Sequence, residues 1–124
     1  MNLVDSCGWL EYLADGSNAG FFAPAVENTE KLLVPTLCIL EVFKRVLQQR
    51  GEDSALQAVA LMQQGQIVDL SVGIAVSAAK IGYAMKLPLA DAAIVATARL
   101  HKATIWTQDS DLQNVEGVKF VKKR

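Results

Sequence analysis

Five acidic side chains offer the chemistry available to this sequence. Asp5 follows an apolar run at 2–4, Glu41 sits early in an apolar-periodic segment, Asp91 opens another, and Asp109 and Asp111 follow an apolar run at 103–107. Carboxylates gathered in one place repel one another unless a cation sits among them, and hard oxygen donors of this kind suit Mg²⁺ or Mn²⁺. Convergence of these positions therefore implies a divalent-metal centre. Ser6 and Thr107 stand beside the first and last stations and offer hydroxyls to a neighbouring carboxylate.

Each acid also has an ordinary role open to it. Asp5 or Ser6 can cap a helix over Cys7–Ala14. Glu41 can pair with Lys44 or Arg45 at i+3 or i+4. Asp91 can face the macrodipole from a first helical turn, and Thr107-Gln108-Asp109-Ser110-Asp111 suits an Asx turn or a cap, which leaves the relative weights of Asp109 and Asp111 open. Asp91 resists this treatment most. Leu87, Ile94, Val95 and Ala98 are its helical neighbours, so its carboxylate shares a face with apolar side chains, where an unpartnered charge is costly.

Other chemistries lack their spacing. No GxxxxGK[ST] or GxGxxG is present, and the single histidine, His101, excludes HExxH and leaves no triad. His101 is expected at the surface near a helix C-terminus, where its positive form suits the dipole. Cys7 and Cys38 lack a CxxC partner and read as buried thiols, not as a disulfide framework or zinc knuckle. Trp9 and Trp106 lie in apolar segments and read as core. A receiver-type phosphoacceptor lacks its mid-chain strand-end Asp, and a DxD phosphatase lacks its second acid, since Asp5-Ser6-Cys7 stands there.

The elements that must position these acids alternate. Apolar runs at 2–4, 32–34, 67–70, 103–107 and 118–121 predict strands, and helical patterns fill the segments between. Ile39, Val42, Phe43, Val46 and Leu47 form a stripe at helical period over Thr36–Arg50, which Gly51 ends. Ser71 caps a helix reaching Met85, Leu87-Pro88 breaks it, and another helix runs over Leu89–Lys102. Gly16, Gly20 and Pro24 interrupt 15–30, which is expected to be a loop with a short helix. This order predicts an α/β fold with a parallel sheet and functional groups at the carboxyl ends of its strands.

No repeat or linker divides the sequence, so 1–124 is expected to be a single domain. A hydrophobic share of 52% with only 20% charged residues excludes disorder, and no apolar run approaches the ~18 residues of a membrane span. Met1-Asn2-Leu3-Val4-Asp5 lacks the basic region of a signal peptide, so the protein is expected to stay in the cytoplasm. Twelve Lys+Arg against thirteen Asp+Glu argue against general polyanion binding, so any nucleic-acid contact must be local. Lys44, Arg45, Lys80, Lys86 and Arg99 are candidate backbone contacts. The basic end, Lys119, Lys122, Lys123 and Arg124, reads as a solvated tail.

Together these stations resemble the PIN-domain family, and within it the VapC-type toxin ribonucleases. The resemblance rests on NLVDSCGWLEYL (2–13), VPTLCILEVFKRVL (34–47) and LPLADAAIVATARLHKATIWTQDSDL (87–112), and so spans almost the whole chain. It implies a three-layer α/β/α sandwich around a central, mainly parallel five-stranded sheet. It also implies Asp5, Glu41, Asp91 and Asp109 as catalytic, metal-binding acids, with Ser6, Thr107 and Asp111 in support. Leu112 stands where many relatives carry an aromatic residue, and reads as a core substitution. The implied activity is Mg²⁺- or Mn²⁺-dependent cleavage of RNA, with Lys44, Arg45 and Arg99 as backbone contacts. The implied partners are a cognate antitoxin, whose tail occupies the acidic groove, and a second copy of the chain. The rival in a different class is a non-catalytic interaction module on the same fold.

Overall fold

Runs rich in Leu, Val and Ile form the central strands, because there both faces of a parallel sheet are covered and apolar side chains are favoured. A computed structural model describes residues Met1–Arg124. Along the chain run β1 (Asn2–Val4), α1 (Ser6–Leu13), α2 (Ala19–Glu27), β2 (Leu32–Pro35), α3 (Thr36–Arg50), α4 (Glu52–Met62), β3 (Gln66–Val68), α5 (Val72–Met85), α6 (Leu89–His101), β4 (Thr104–Thr107) and β5 (Val118–Phe120). The strands form one sheet in the order β3-β2-β1-β4-β5, and every pairing is parallel. Helices on both faces complete the expected three-layer architecture.

The topology decides where a site can form. The chain begins in the middle strand, builds outward through β2 and β3, and returns by α5 and α6 to place β4 on the other side of β1. The direction of strand order therefore reverses between β1 and β4, and a crevice opens at their carboxyl ends. In register, Leu3 faces Ile105 and Val4 faces Trp106, so Asp5 and Thr107 emerge side by side.

Packing around that crevice is close. Leu3, Val4, Leu33, Val34 and Ile105 fill the centre of the sheet, with Trp9, Phe22, Val42 and Met62 against them. A Cβ at Gly8 would lie 2.6 Å from the Phe22 ring and 2.7 Å from Val4 Cγ1, so only glycine lets α1 approach β1 and α2 this closely. Helix α6 is buried all round from Ala92 to Ala98, and its alanines let it sit against α5 and β4. Leu112 is fully buried, as a core residue should be.

Several expectations shift. The interrupted stretch 15–30 holds nine residues of helix with Pro24 inside it. Proline there forfeits the bond to the Gly20 carbonyl, yet Phe22, Ala25 and Val26 are buried, and that burial outweighs the local preference. Helix α4 follows α3 directly because Gly51, at φ +87°, turns the backbone in a single residue. The third strand covers Gln66–Val68 rather than 67–70, since β2 pairs with it from Leu33 opposite Gln66 to Pro35 opposite Val68, where β2 ends. Cys38 is buried, but Cys7 is only half-buried, because the second position of α1 faces the crevice. Trp9 is fully buried. Trp106 is half-buried between the Phe21 ring, at 5.4 Å, and the Lys119 ammonium, 4.5 Å above its own ring. His101, the last residue of α6, is half-buried rather than at the open surface. No single helix is long and apolar enough to cross a membrane.

Candidate metal centre

Asp5 leaves β1 in an extended conformation and caps α1, its Oδ1 accepting the Gly8 N–H at 3.0 Å and the Cys7 thiol at 2.9 Å. Its Oδ2 accepts the Thr107 hydroxyl, from a residue 102 positions away. Thr107 Oγ1 in turn accepts the Asp109 N–H at 2.9 Å, and Asp109 Oδ1 accepts the Asp111 N–H at 2.9 Å. One relay thus runs from the end of β1 through the end of β4 into the turn that follows. The ordinary roles, a helix cap at Asp5 and an Asx-type turn at Asp109, are both realised, and they fix the acids in place.

Asp91 joins from the opposite side, in the first turn of α6. Oxygens of Asp91, Asp109 and Asp111 all lie within 4.8 Å of one another. Burial pushes the Asp91 carboxyl up to about 7, and the charge and hydrogen bond of Asp109, then the charges of Asp111 and Asp5, push the same way. The Asp5 carboxyl is also raised, by burial first; the donors at Cys7, Thr107 and Gly8 oppose the shift, and the charge of Asp109 adds to it. The Cys7 thiol is pushed up to about 12 by burial and by Asp5, so it acts as a neutral donor.

This donor set fits a hard divalent cation. Asp91, Asp109 and Asp111, whose oxygens lie within 4.8 Å of one another, could together hold such an ion, which takes carboxylate oxygens as ligands. A cation would also relieve the mutual repulsion that raises Asp91.

The other candidates lie at different depths. Glu41 is half-buried in the second turn of α3 and stands outside the three-acid group. It lies one turn beyond Cys38, whose thiol points at the Val4 carbonyl and feels the charges of both Asp5 and Glu41. Thr107, not Ser6, supplies the hydroxyl that meets Asp5; Ser6 is half-buried as the first residue of α1. Arg45 lines a groove between α1, α3 and α4 that Cys7 and Gln108 also line. Lys44, Lys80 and Lys86 are exposed, and Arg99 reaches Met85 Sδ at 3.9 Å.

Sequence reasoning passes over Gln108 and Asn18. Both are buried, and the Asn18 amide donates to Gln108 Oε1 at 2.9 Å and to the Lys122 carbonyl at 3.1 Å. No periodicity marks a polar pair 90 residues apart. The only available signal is that Gln108 falls within the Thr107–Asp111 motif.

To the acids at the carboxyl ends of β1 and β4 and the one at the start of α6, a comparison by family adds one finding: the PIN domain model matches residues 3–118, and the chain belongs to that family. Its fold is similar to a chain of a toxin-antitoxin complex from Klebsiella pneumoniae (23% identity, TM-score 0.79, 96% of each chain covered). It is also similar to VapC20 of Mycobacterium tuberculosis, a Sarcin-Ricin loop cleaving toxin (13% identity, TM-score 0.78, 95% of this chain and 97% of that one). FitAcB from Neisseria gonorrhoeae is a third such structure (16% identity, TM-score 0.72, 98% and 97% covered). No curated protein matches the chain in sequence.

Proposed function

We propose that this chain is a Mg²⁺- or Mn²⁺-dependent endoribonuclease of the VapC type, working in the cytoplasm as a single domain over 1–124. The observation that carries the reading is the Asp91–Asp109–Asp111 group set against buried Asp5 at the reversal of strand order. Asp5, Glu41, Asp91 and Asp109 hold the metal, with Asp111, Ser6 and Thr107 in support. When bound, the ion lowers the pKa of a water and offsets charge on the phosphoryl oxygens of RNA. Thr107 keeps Asp5 Oδ2 oriented, and the turn from Thr107 to Asp111 keeps Asp109 facing Asp91. Lys44, Arg45 and Arg99 serve as contacts to the RNA backbone.

Two partners follow from the same reading. The likeness to a chain of a toxin-antitoxin complex supports a cognate antitoxin that covers the acids and silences the enzyme. A second copy is supported by the outer face of α5, where Val72 is 83%, Tyr83 90% and neighbouring Leu89 80% exposed. Apolar side chains so placed on one side of the molecule suit an isologous dimer.

The test pairs Mn²⁺ calorimetry with RNA cleavage for the wild type and for Asp91→Asn. Metal binding and cleavage in the first, both lost in the second, support the nuclease. Absence of Mn²⁺ binding by the wild type, with no cleavage in either, transfers the fold to the rival reading, a non-catalytic interaction module.

A further inference from the structure

Gln108 stands between Thr107 and Asp109 and is buried, with 6% of its surface exposed, yet its carboxamide is only half used within the chain. The orientation of that amide is fixed by chemistry. The Lys122 carbonyl can only accept, so the Asn18 side chain must turn its NH₂ toward it. The same NH₂ then meets Gln108, which must present Oε1 to it. Asn18 is itself held, being 3% exposed, with its backbone N–H on Glu11 Oε2 at 2.8 Å. Gln108 Nε2 is left with no acceptor. It is not sealed off, because the one fully buried side-chain nitrogen or oxygen without a partner is Trp9 Nε1. Gln108 and Cys7 line one groove together with Arg45, Arg50 and Lys123, and the Cys7 thiol donates to Asp5 Oδ1 at 2.9 Å, which ties that groove to the acids.

We propose that Gln108, oriented by Asn18, is a substrate-binding residue whose Nε2 donates to a phosphodiester oxygen of an RNA strand lying in this groove, next to the acids. The proposal rests on the nuclease reading for the identity of the strand. An anionic ligand is what the groove selects: three cationic side chains line it against the single carboxylate of Glu11, which is occupied by the Asn18 N–H. A donor pre-set beside the acids lets a phosphate be held where the carboxylates alone would repel it. Asn18 is a positioning residue, acting through Gln108.

Gln108→Glu keeps an oxygen that accepts from Asn18 and turns Nε2 into a second oxygen, and because it also adds a charge beside the acids, the uncharged Gln108→Met is run with it. Binding of a fluorescein-labelled single-stranded RNA is followed by anisotropy in Ca²⁺, and cleavage kinetics in Mg²⁺, alongside thermal melting. Loss of a hydrogen bond to a charged group predicts RNA affinity lower by about tenfold or more, with KM rising by a similar factor and kcat changing much less. Gln108→Met, which carries no added charge, is expected to weaken RNA binding in the same direction. Asn18→Ala should weaken binding too, and add nothing further in the Gln108→Met background. Wild-type affinity and KM in both Gln108 variants overturn the proposal, as does a variant that loses only thermal stability. Should the wild type cleave no RNA, the nuclease reading fails by itself and the anisotropy arm alone decides Gln108. A wild type that binds no RNA but captures an acidic peptide assigns the groove to a protein and overturns the proposal.

Discussion

Asp5 and Asp91 face the same crevice, and their carboxyls are raised for the same leading reason, burial, yet they are situated in opposite ways. Asp5 is surrounded by donors: Gly8, Cys7 and Thr107 together serve both of its oxygens. Asp91 is surrounded by acids. The first carboxylate is integrated into the fold, tying α1 to β4. The second is a local conflict that the fold tolerates and that a cation would relieve. Residues whose local energetics oppose the global fold mark functional positions, and by that measure Asp91 marks the site more sharply than the better-ordered Asp5.

The largest effect is expected for Asp91→Asn, which should lower Mg²⁺-dependent RNA cleavage by about 100-fold or more, in the range seen when a transition-state-stabilising group is removed. The metal-free protein should nevertheless melt at the same or a higher temperature, because a repelling charge has gone. Full activity in this variant would remove the metal centre. Next comes Thr107→Val, similar in shape, which strips the buried Asp5 Oδ2 and the Asp109 N–H of their partner. Urea denaturation should show a loss of about 1–3 kcal/mol, and an unchanged midpoint would mean that the relay is not structural.

The third is a dependence on pH. Asp91 titrates near 3.8 in the unfolded chain and at about 7 in the folded one, so between these values the folded protein binds more protons. Its contribution to stability is then full below the lower value and lost as pH rises through the upper one. Metal-free protein should lose melting temperature between pH 5 and 8 relative to Asp91→Asn, and Mg²⁺ should raise it more at pH 8 than at pH 5. Parallel profiles for the two proteins would contradict the shift. The smallest effect is expected away from the crevice. Val72→Lys on the exposed face of α5 should alter monomer stability by no more than about 0.5 kcal/mol while moving sedimentation from dimer to monomer. Sedimentation that does not change would remove that face from any dimer.

Much of the fold is legible because its signals are local. The runs at 2–4, 32–34 and 103–107 become β1, β2 and β4 within a residue, since a short apolar run between turn signals has little choice beside a helix-forming segment. Ser71 caps α5 through the Ile74 N–H, as its type and position suggest. What local signals miss is decided by burial. Helix α2 forms through Pro24 because Phe22 and Val26 have a core to enter, which nothing within 15–30 announces. At the site, the types and stations of the acids are readable. Their grouping is not: Asp111, given a supporting role by the motif, stands within the close trio, while Glu41 lies outside it.

By itself, then, the sequence determines that strands and helices alternate and that acids wait at the ends of particular elements, because backbone periodicity and capping depend on neighbours a few residues away. Only the tertiary structure decides that Thr107 bonds Asp5, that Asp91 is pressed against Asp109 and Asp111, and which way the Gln108 amide turns. Those outcomes depend on distances of a few ångströms between segments some 20 to 100 residues apart. Hydrogen bonding and repulsion at that range follow from strand order and helix packing, which no single stretch of the chain encodes.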